Sequence, residues 1–167
     1  NNDCLLLGTR VIIIDTDGDE ICEMGDYFSH SEIDQGLLES KGQLIYHPSV
    51  IFRKAVVDQV GGYSHLYPHV EDLDLFLKIS ELGKIENLKE PLLKYREHLC
   101  KIGHLHRNDQ ILEINDVIKA TYARRKLTYK ETPTNPSIAH NEIDSWKIWA
   151  WWALKARNFK TARKYAL

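Results

Sequence analysis

Apolar and polar positions in the first part of the chain form one long apolar run followed by a short polar break. Residues 5–14 are mostly apolar and end in four β-branched residues, Val11-Ile12-Ile13-Ile14, which predicts a buried strand. Residues 15–18 are polar and end in Gly18, which predicts a turn because glycine adopts positive φ without steric cost. Residues 20–24 then predict a short strand that pairs back.

Helical spacing of apolar residues appears twice before residue 100. Ser31 precedes Ile33 and Leu37, which predicts a helix with Ser31 as its N-cap. Residues 71–82 have the clearest amphipathic pattern in this half of the chain, and Gly83 marks the end of that helix.

Shorter elements are predicted on either side of the amphipathic helix. Residues 49–52 predict a second buried strand, and residues 54–60 predict a short helix that stops at two glycines. Residues 84–88 and 92–95 predict two short strands separated by a turn at Glu90-Pro91. The first hundred residues therefore mix strands with helices.

The pattern becomes helical throughout the last third of the chain. Apolar residues from position 111 to 122 recur at a spacing of 3.6, which predicts a long helix, and residues 132–136 contain two prolines and predict a linker. Two further helices follow as a hairpin. In the first, Trp146, Trp149 and Trp152 share a face that is expected to pack inward, whereas Trp151 is expected to be exposed. These changes divide the chain into residues 1–105, 106–131 and 137–167.

Composition limits the classes of function. The chain has 167 residues, 43% hydrophobic and 28% charged, with a net charge of −2, so no overall field favours nucleic acid. Its three cysteines are widely spaced and predict neither a disulfide framework nor a zinc motif, which fits a cytoplasmic location. No stretch approaches the roughly 20 apolar residues of a membrane-spanning helix. Peripheral contact with a membrane stays open.

Four short motifs between residues 47 and 98 carry the candidate chemistry. In chain order they are His47-Pro48-Ser49-Val50-Ile51-Phe52-Arg53, Gly61-Gly62-Tyr63, Glu71-Asp72-Leu73-Asp74-Leu75 and Tyr95-Arg96-Glu97-His98. The acidic pair opens the amphipathic helix, where free backbone N–H groups and the helix dipole favour ionised carboxylates. Acidic residues are also common in first helical turns without any catalytic role.

In this order, the four motifs resemble the C-terminal half of an inverting family-2 glycosyltransferase of the GT-A fold, which is an α/β fold. The resemblance implies transfer of a sugar from a nucleotide-sugar donor to a saccharide or lipid-linked acceptor, in cell-surface polysaccharide or glycoconjugate biosynthesis. It implies that residues 1–105 are the acceptor-side half of the catalytic domain. The nucleotide-binding half would precede Asn1, so the chain alone is expected to be inactive.

The resemblance also assigns residues to roles. Asp72 would be the catalytic base and Glu71 would support it, and the divalent metal, Mg²⁺ or Mn²⁺, would be held mainly by an Asp-x-Asp motif outside this chain. His98 would lie near that metal and the donor diphosphate, although the sequence after it departs from the family pattern. The implied substrate-binding residues are His47, Ser49, Gly62, Tyr63, Arg96 and His98.

Three other features resemble functional motifs. Asp15-Thr16-Asp17 spells an Asp-x-Asp motif, but it follows the first strand rather than preceding it and is interpreted as turn residues. His65 and His69 lie in the predicted loop before the acidic helix and are expected to be solvent-exposed. His98, Cys100, His104 and His106 have a spacing that permits zinc binding but fit no regular zinc motif.

A different class of function remains open. The C-terminal hairpin carries Lys155, Arg157, Lys160, Arg163 and Lys164, and these residues would let a non-catalytic interaction module bind an acidic surface. Solvated helix faces explain such residues equally well. A sheet that lacks its preceding strands would also leave an edge open, which predicts a homodimer.

Overall fold

The computed structural model describes residues 3–101, 106–129 and 142–166. Within these residues, four strands and six α-helices follow one another with a single 3₁₀ turn, His47–Ser49, between α1 and β3. The strands are β1 (Cys4–Ile14), β2 (Glu20–Met24), β3 (Ile51–Phe52) and β4 (Lys84–Arg96). The helices are α1 (His30–Leu38), α2 (Lys54–Gln59), α3 (Glu71–Ser80), α4 (Arg107–Arg124), α5 (Glu142–Lys155) and α6 (Phe159–Tyr165).

The sheet is mixed, and β1 is its central strand. β4 pairs with β1 in parallel along its length, whereas β2 and β3 pair antiparallel with opposite ends of the other edge of β1. Leu6, Val11 and Ile13 of β1 are completely buried. A strand covered on both faces is expected to be almost continuously apolar, which is the pattern of residues 5–14. The predicted mixture of strands and helices in an α/β fold is confirmed.

The prediction of two strands around Glu90-Pro91 was wrong, because β4 is continuous from Lys84 to Arg96. Thr9 of β1 is paired with Leu88, but the next residue, Arg10, is paired with Pro91. β4 therefore carries extra residues at this point. A proline, which has no N–H to donate, is tolerated inside a strand where the ladder is locally interrupted. The proline therefore marks an irregularity rather than a turn.

Two other boundaries differ from the predicted ones. The N-cap of α1 is Ser29 rather than Ser31, and Ser29 and Glu32 form a reciprocal capping box. That Ser-x-x-Glu spacing was present in the sequence and identifies the cap. The predicted strand at residues 49–52 is shorter in the structure: Ser49 belongs to the 3₁₀ turn His47–Ser49, and only Ile51–Phe52 pairs with β1.

The two faces of the sheet are covered by different helices. One face packs with α1, α3 and Val117 and Ile118 of α4 into the larger core. The opposite face, through Val11, Ile13 and Ile21, packs against Trp149, Ala153 and Ala162 of α5 and α6. Trp149 is therefore buried and Trp151 is exposed, as predicted, but Trp146 is also exposed and does not share the packed face.

Polar contacts partly cover both edges of the sheet, one of which was expected to be open. Along β2, the side chains of Asn158 and Thr161 donate to the backbone carbonyls of Ile21 and Glu20. Along β4, the backbone N–H of Asn87 donates to the carbonyl of Phe28. Pairing with a second copy through these sections of the edges would require the contacts to break, so the edge-based argument for a homodimer is weakened.

Arg125, just after α4, joins three helices. Its guanidinium forms a bidentate contact with the carboxylate of Asp34 in α1, and both N–O distances are 2.8 Å. It also donates to the Ser80 hydroxyl and to the Leu77 carbonyl of α3. The pKa of Asp34 is lowered because these hydrogen bonds and the positive charge of Arg125 outweigh the effect of burial. This contact fixes α4 beside α3, which carries the acidic pair.

Candidate active site

A cleft of about 580 Å³ opens at the N-terminal end of α3. Its walls come from the segment after α1, from the 3₁₀ turn, from the start of α3, from the end of β4 with the following loop, and from α4. The polar side chains that line it include Lys41, His47, His69, Glu71, Asp72, Tyr95, His98 and Lys101. Phe76, Leu37 and Leu44 contribute apolar surface. A mainly apolar cleft with a few convergent polar groups is typical of small-molecule sites.

Glu71 and Asp72 are the first two residues of α3 and both face this cleft. The N-cap, Val70, makes no side-chain cap, so the positive end of the helix dipole is left to the acidic side chains of the first turn. Asp72 Oδ1 accepts the backbone N–H of Leu73 at 2.8 Å. Asp74 differs, because it is buried and paired with Lys78 at 2.6 Å, which gives it a structural role within the helix.

His47 and Tyr63 lie together beside the acidic pair. His47 Nε2 lies 2.8 Å from the Tyr63 hydroxyl, and its ring packs edge-on against Phe76 with 5.8 Å between centroids. The pKa of Tyr63 is raised by partial burial and by the negative charges of Asp72 and Glu71. This electrostatic coupling indicates that the second motif approaches the third in space, as the sequence hypothesis requires.

His98 also lines the cleft and comes from the loop that follows β4. Two other residues that line it there, Tyr95 and Lys101, were given no role from the sequence. Lys101 pairs with the buried Glu97 at 2.6 Å, and its Nζ lies 4.4 Å from the centre of the Tyr95 ring. The alternation of side chains along β4 is the sequence signal for Tyr95. It places Tyr95 and Glu97 on the same side of the chain and Arg96 on the opposite side.

Four of the predicted substrate-binding residues, Ser49, Gly62, Tyr63 and Arg96, lie outside the cleft lining. Ser49 bridges backbone atoms, donating to the Tyr46 carbonyl and accepting the N–H of Thr9. Gly62 has φ of 71° and, with Gly61, ends α2 in the sharp turn that was predicted. Arg96 donates through Nη1 to the backbone carbonyls of Asp15 and Thr16 at 2.7 and 2.8 Å. The structure thus brings His47, the acidic pair and His98 together in the cleft, and Tyr63 contacts His47 from outside the lining.

The two histidines of the loop before α3 were both expected to be solvent-exposed, and only one of them is. His65 is exposed, as predicted, but His69 is half-buried and its Nδ1 lies 2.7 Å from Glu113 Oε1 of α4. Of the residues that the structure describes, His69, His106 and Asp109 form one group with ligand atoms within 4.8 Å of one another. His98 is not a member, and His104 lies outside the described residues. The zinc hypothesis built on His98, Cys100, His104 and His106 stays a prediction.

Asp15 and Asp17 are confirmed as turn residues, but Asp15 is also the centre of a buried polar cluster. Its Oδ1 accepts the backbone N–H groups of Asp17 and Asp19. Its Oδ2 accepts Lys164 Nζ at 2.6 Å and the Tyr165 hydroxyl at 2.9 Å. Burial disfavours the charged carboxylate, yet these hydrogen bonds outweigh it, so the pKa of Asp15 is lowered. Basic residues of the C-terminal hairpin therefore bind an acidic surface within this chain.

The Tyr165 phenol gives this cluster an expected alkaline dependence. Burial and its hydrogen bond to Asp15 raise the pKa of Tyr165 to about 12. Because this pKa lies above the unfolded value of about 10, the Tyr165 phenol contributes its full stabilisation below pH ~10. The contribution is lost as the pH rises toward 12. Thermal unfolding of the wild type and of Tyr165→Phe should therefore show a stability difference that shrinks above pH ~10. A difference that stays constant across this range would contradict the expectation.

Comparison of the chain with protein-family models and with curated proteins yields no match. None of the helices in residues 3–101, 106–129 and 142–166 is both long enough and apolar enough to cross a membrane.

Proposed function

We propose that this chain is the acceptor-side part of an inverting glycosyltransferase of the GT-A type, which uses a nucleotide-sugar donor. The observation that carries the proposal is the acidic pair Glu71-Asp72, which opens α3 inside the cleft of about 580 Å³. His47 and His98 reach the same cleft from different elements. The resemblance of the four motifs supplies the reaction class, and the convergence of most of them on one cleft supports it.

In the proposed mechanism, Asp72 accepts the proton of an acceptor hydroxyl as its oxygen attacks the anomeric carbon of the donor. The bond between that carbon and the phosphate oxygen breaks, and the nucleoside diphosphate leaves with the bonding electrons. Glu71 positions the acceptor. Phe76 and Tyr95 provide apolar surface for the bound substrate.

A divalent metal, Mg²⁺ or Mn²⁺, would neutralise the leaving diphosphate in such a reaction. In the described part of the cleft, His98 belongs to no group of three ligand side chains, so these residues do not form a complete metal site. The proposal places the metal ligands in the preceding donor half, and no step of the mechanism above depends on residues of this chain holding the ion.

The test is donor turnover by the natural protein that carries this chain. A panel of UDP-, GDP- and dTDP-sugars with Mn²⁺ would be assayed for nucleoside diphosphate release, including slow hydrolysis by water. Release from one nucleotide class supports the proposal, and the absence of both binding and release across the panel would overturn it. The isolated chain is expected to be inactive, and turnover by it would contradict the assignment to the acceptor side alone.

A second candidate function is that of an interaction module, and one surface favours it. Between α5 and α6 lies a groove of about 480 Å³ that contains Trp151, Leu154 and Phe159. Trp151 is 55% exposed and Phe159 is 63% exposed. Exposed aromatic residues that line one groove are typical of protein-binding surfaces.

If the groove mediates self-association, the double variant Trp151→Ser and Phe159→Ser should be monomeric at concentrations at which the wild type is dimeric. Sedimentation velocity measures this directly, and Trp146→Ser, at an exposed position outside the groove lining, is the matched control. Equal association of the wild type and the double variant would remove the groove from this role.

A further inference from the structure

Two segments that are distant in sequence bring three potential metal ligands together beside the cleft. His69 precedes α3, and His106 and Asp109 lie at the start of α4. The ligand atoms of the three side chains lie within 4.8 Å of one another. His106 Nδ1 is 3.5 Å from Asp109 Oδ2, close to the ~3.3 Å between ligands around a tetrahedral zinc ion.

His69 is held in one orientation by α4. Glu113 accepts the backbone N–H of His69 at 2.9 Å through Oε2 and lies 2.7 Å from its ring Nδ1 through Oε1. Gln110 donates to the His69 carbonyl at 3.0 Å. A carboxylate can only accept, so Nδ1 carries the proton, and in the neutral imidazole the lone pair of Nε2 is then available. A carboxylate that orients a histidine in this way is the usual outer-shell partner of a metal-binding imidazole.

The other two ligands have freedom to adjust. The side chains of His106 and Asp109 are at least half exposed, so they can rotate toward an ion without disturbing the core. The His106 ring is stacked on that of His69 with 4.7 Å between centroids, and a rotation of this exposed ring changes where its nitrogens point relative to His69.

We propose that His69, His106 and Asp109 bind one zinc ion, with Glu113 as the residue that orients His69. Two imidazole nitrogens and one carboxylate oxygen suit Zn²⁺ better than Mg²⁺ or Mn²⁺, which prefer oxygen ligands. Three protein ligands leave a fourth position for water. The ion would join α4 to the residue two positions before Glu71, and so fix the wall of the cleft next to the acidic pair.

The test uses the 167-residue chain and the metals alone. Isothermal titration with Zn²⁺ should give one site per chain, and Co²⁺ should give visible absorption bands of a low-symmetry site. His106→Gln, a change at an exposed side chain, should weaken Zn²⁺ binding by at least about tenfold without changing the melting temperature of the metal-free chain. Glu113→Gln should weaken binding by about 10–100-fold.

Two control variants separate this site from other zinc-binding side chains. His65→Gln changes an exposed histidine of the same loop, and Cys100→Ser removes an exposed thiol near the cleft. Neither change should alter the affinity. The proposal is overturned if no stoichiometric Zn²⁺ binding is found, or if His106→Gln binds Zn²⁺ as tightly as the wild type.

Discussion

Replacing Asp72 with Asn in the natural protein that carries this chain is expected to lower sugar-transfer turnover by about 10²–10⁴-fold, the usual contribution of a general base. The amide has the same shape as the carboxylate, and its oxygen still accepts the backbone N–H of Leu73, so the start of α3 should be unchanged. The amide has no useful affinity for a proton, however, so the attacking hydroxyl would lose its base. Turnover of the nucleotide-sugar is the measurement, and donor affinity should not change.

Two control variants make this result specific. Asp58→Asn removes an exposed carboxylate of α2 that pairs with Lys54, and it should leave turnover at the wild-type level. Glu71→Gln keeps Asp72 and should have a smaller effect, mainly on the acceptor concentration that half-saturates the reaction. Wild-type turnover in Asp72→Asn would remove this residue from the mechanism and leave the cleft without an assigned base.

Replacing Asp15 with Ala is expected to lower the free energy of unfolding by about 2–4 kcal/mol. Asp15 is 0% exposed and accepts hydrogen bonds from two backbone N–H groups, from Lys164 and from Tyr165. Its removal would leave the two turn donors without their acceptor and would remove two of the contacts that hold α6 against the turn between β1 and β2. Urea denaturation of the 167-residue chain measures the change.

Asp17 offers a matched control, because it lies at the same distance of 2.6 Å from Lys164. The side chain of Asp17 is 70% exposed, and a solvent-exposed ion pair contributes only about 0–1 kcal/mol. Asp17→Ala should therefore cost far less than Asp15→Ala. Asp15→Asn, which keeps an acceptor for the backbone groups, should fall between them. Equal losses for Asp15→Ala and Asp17→Ala would show that burial of Asp15 does not determine its contribution.

The sequence predicted the elements whose patterns are local. A mostly apolar run identifies β1, because a strand covered on both faces is apolar at most of its positions. Helical spacing with an acidic first turn identifies α3, and Gly61-Gly62 identifies the end of α2. The sequence pattern alone placed the N-cap of α1 at the wrong serine and predicted two strands where β4 is continuous. In the first case two serines compete for one position, and in the second a proline can mark either a turn or a strand irregularity.

For the candidate site, sequence order and the helical pattern established that Glu71 and Asp72 open a helix, with His47 and His98 as nearby candidates. Only the tertiary structure determined which of these side chains share a cleft, because that depends on how β4 and the 3₁₀ turn lie against α3. It also brought together partners more than thirty residues apart, His69 with Glu113 and Asp15 with Lys164. Local pattern contains no information about such pairs, because the packing of the helices on the two faces of the sheet determines their distances.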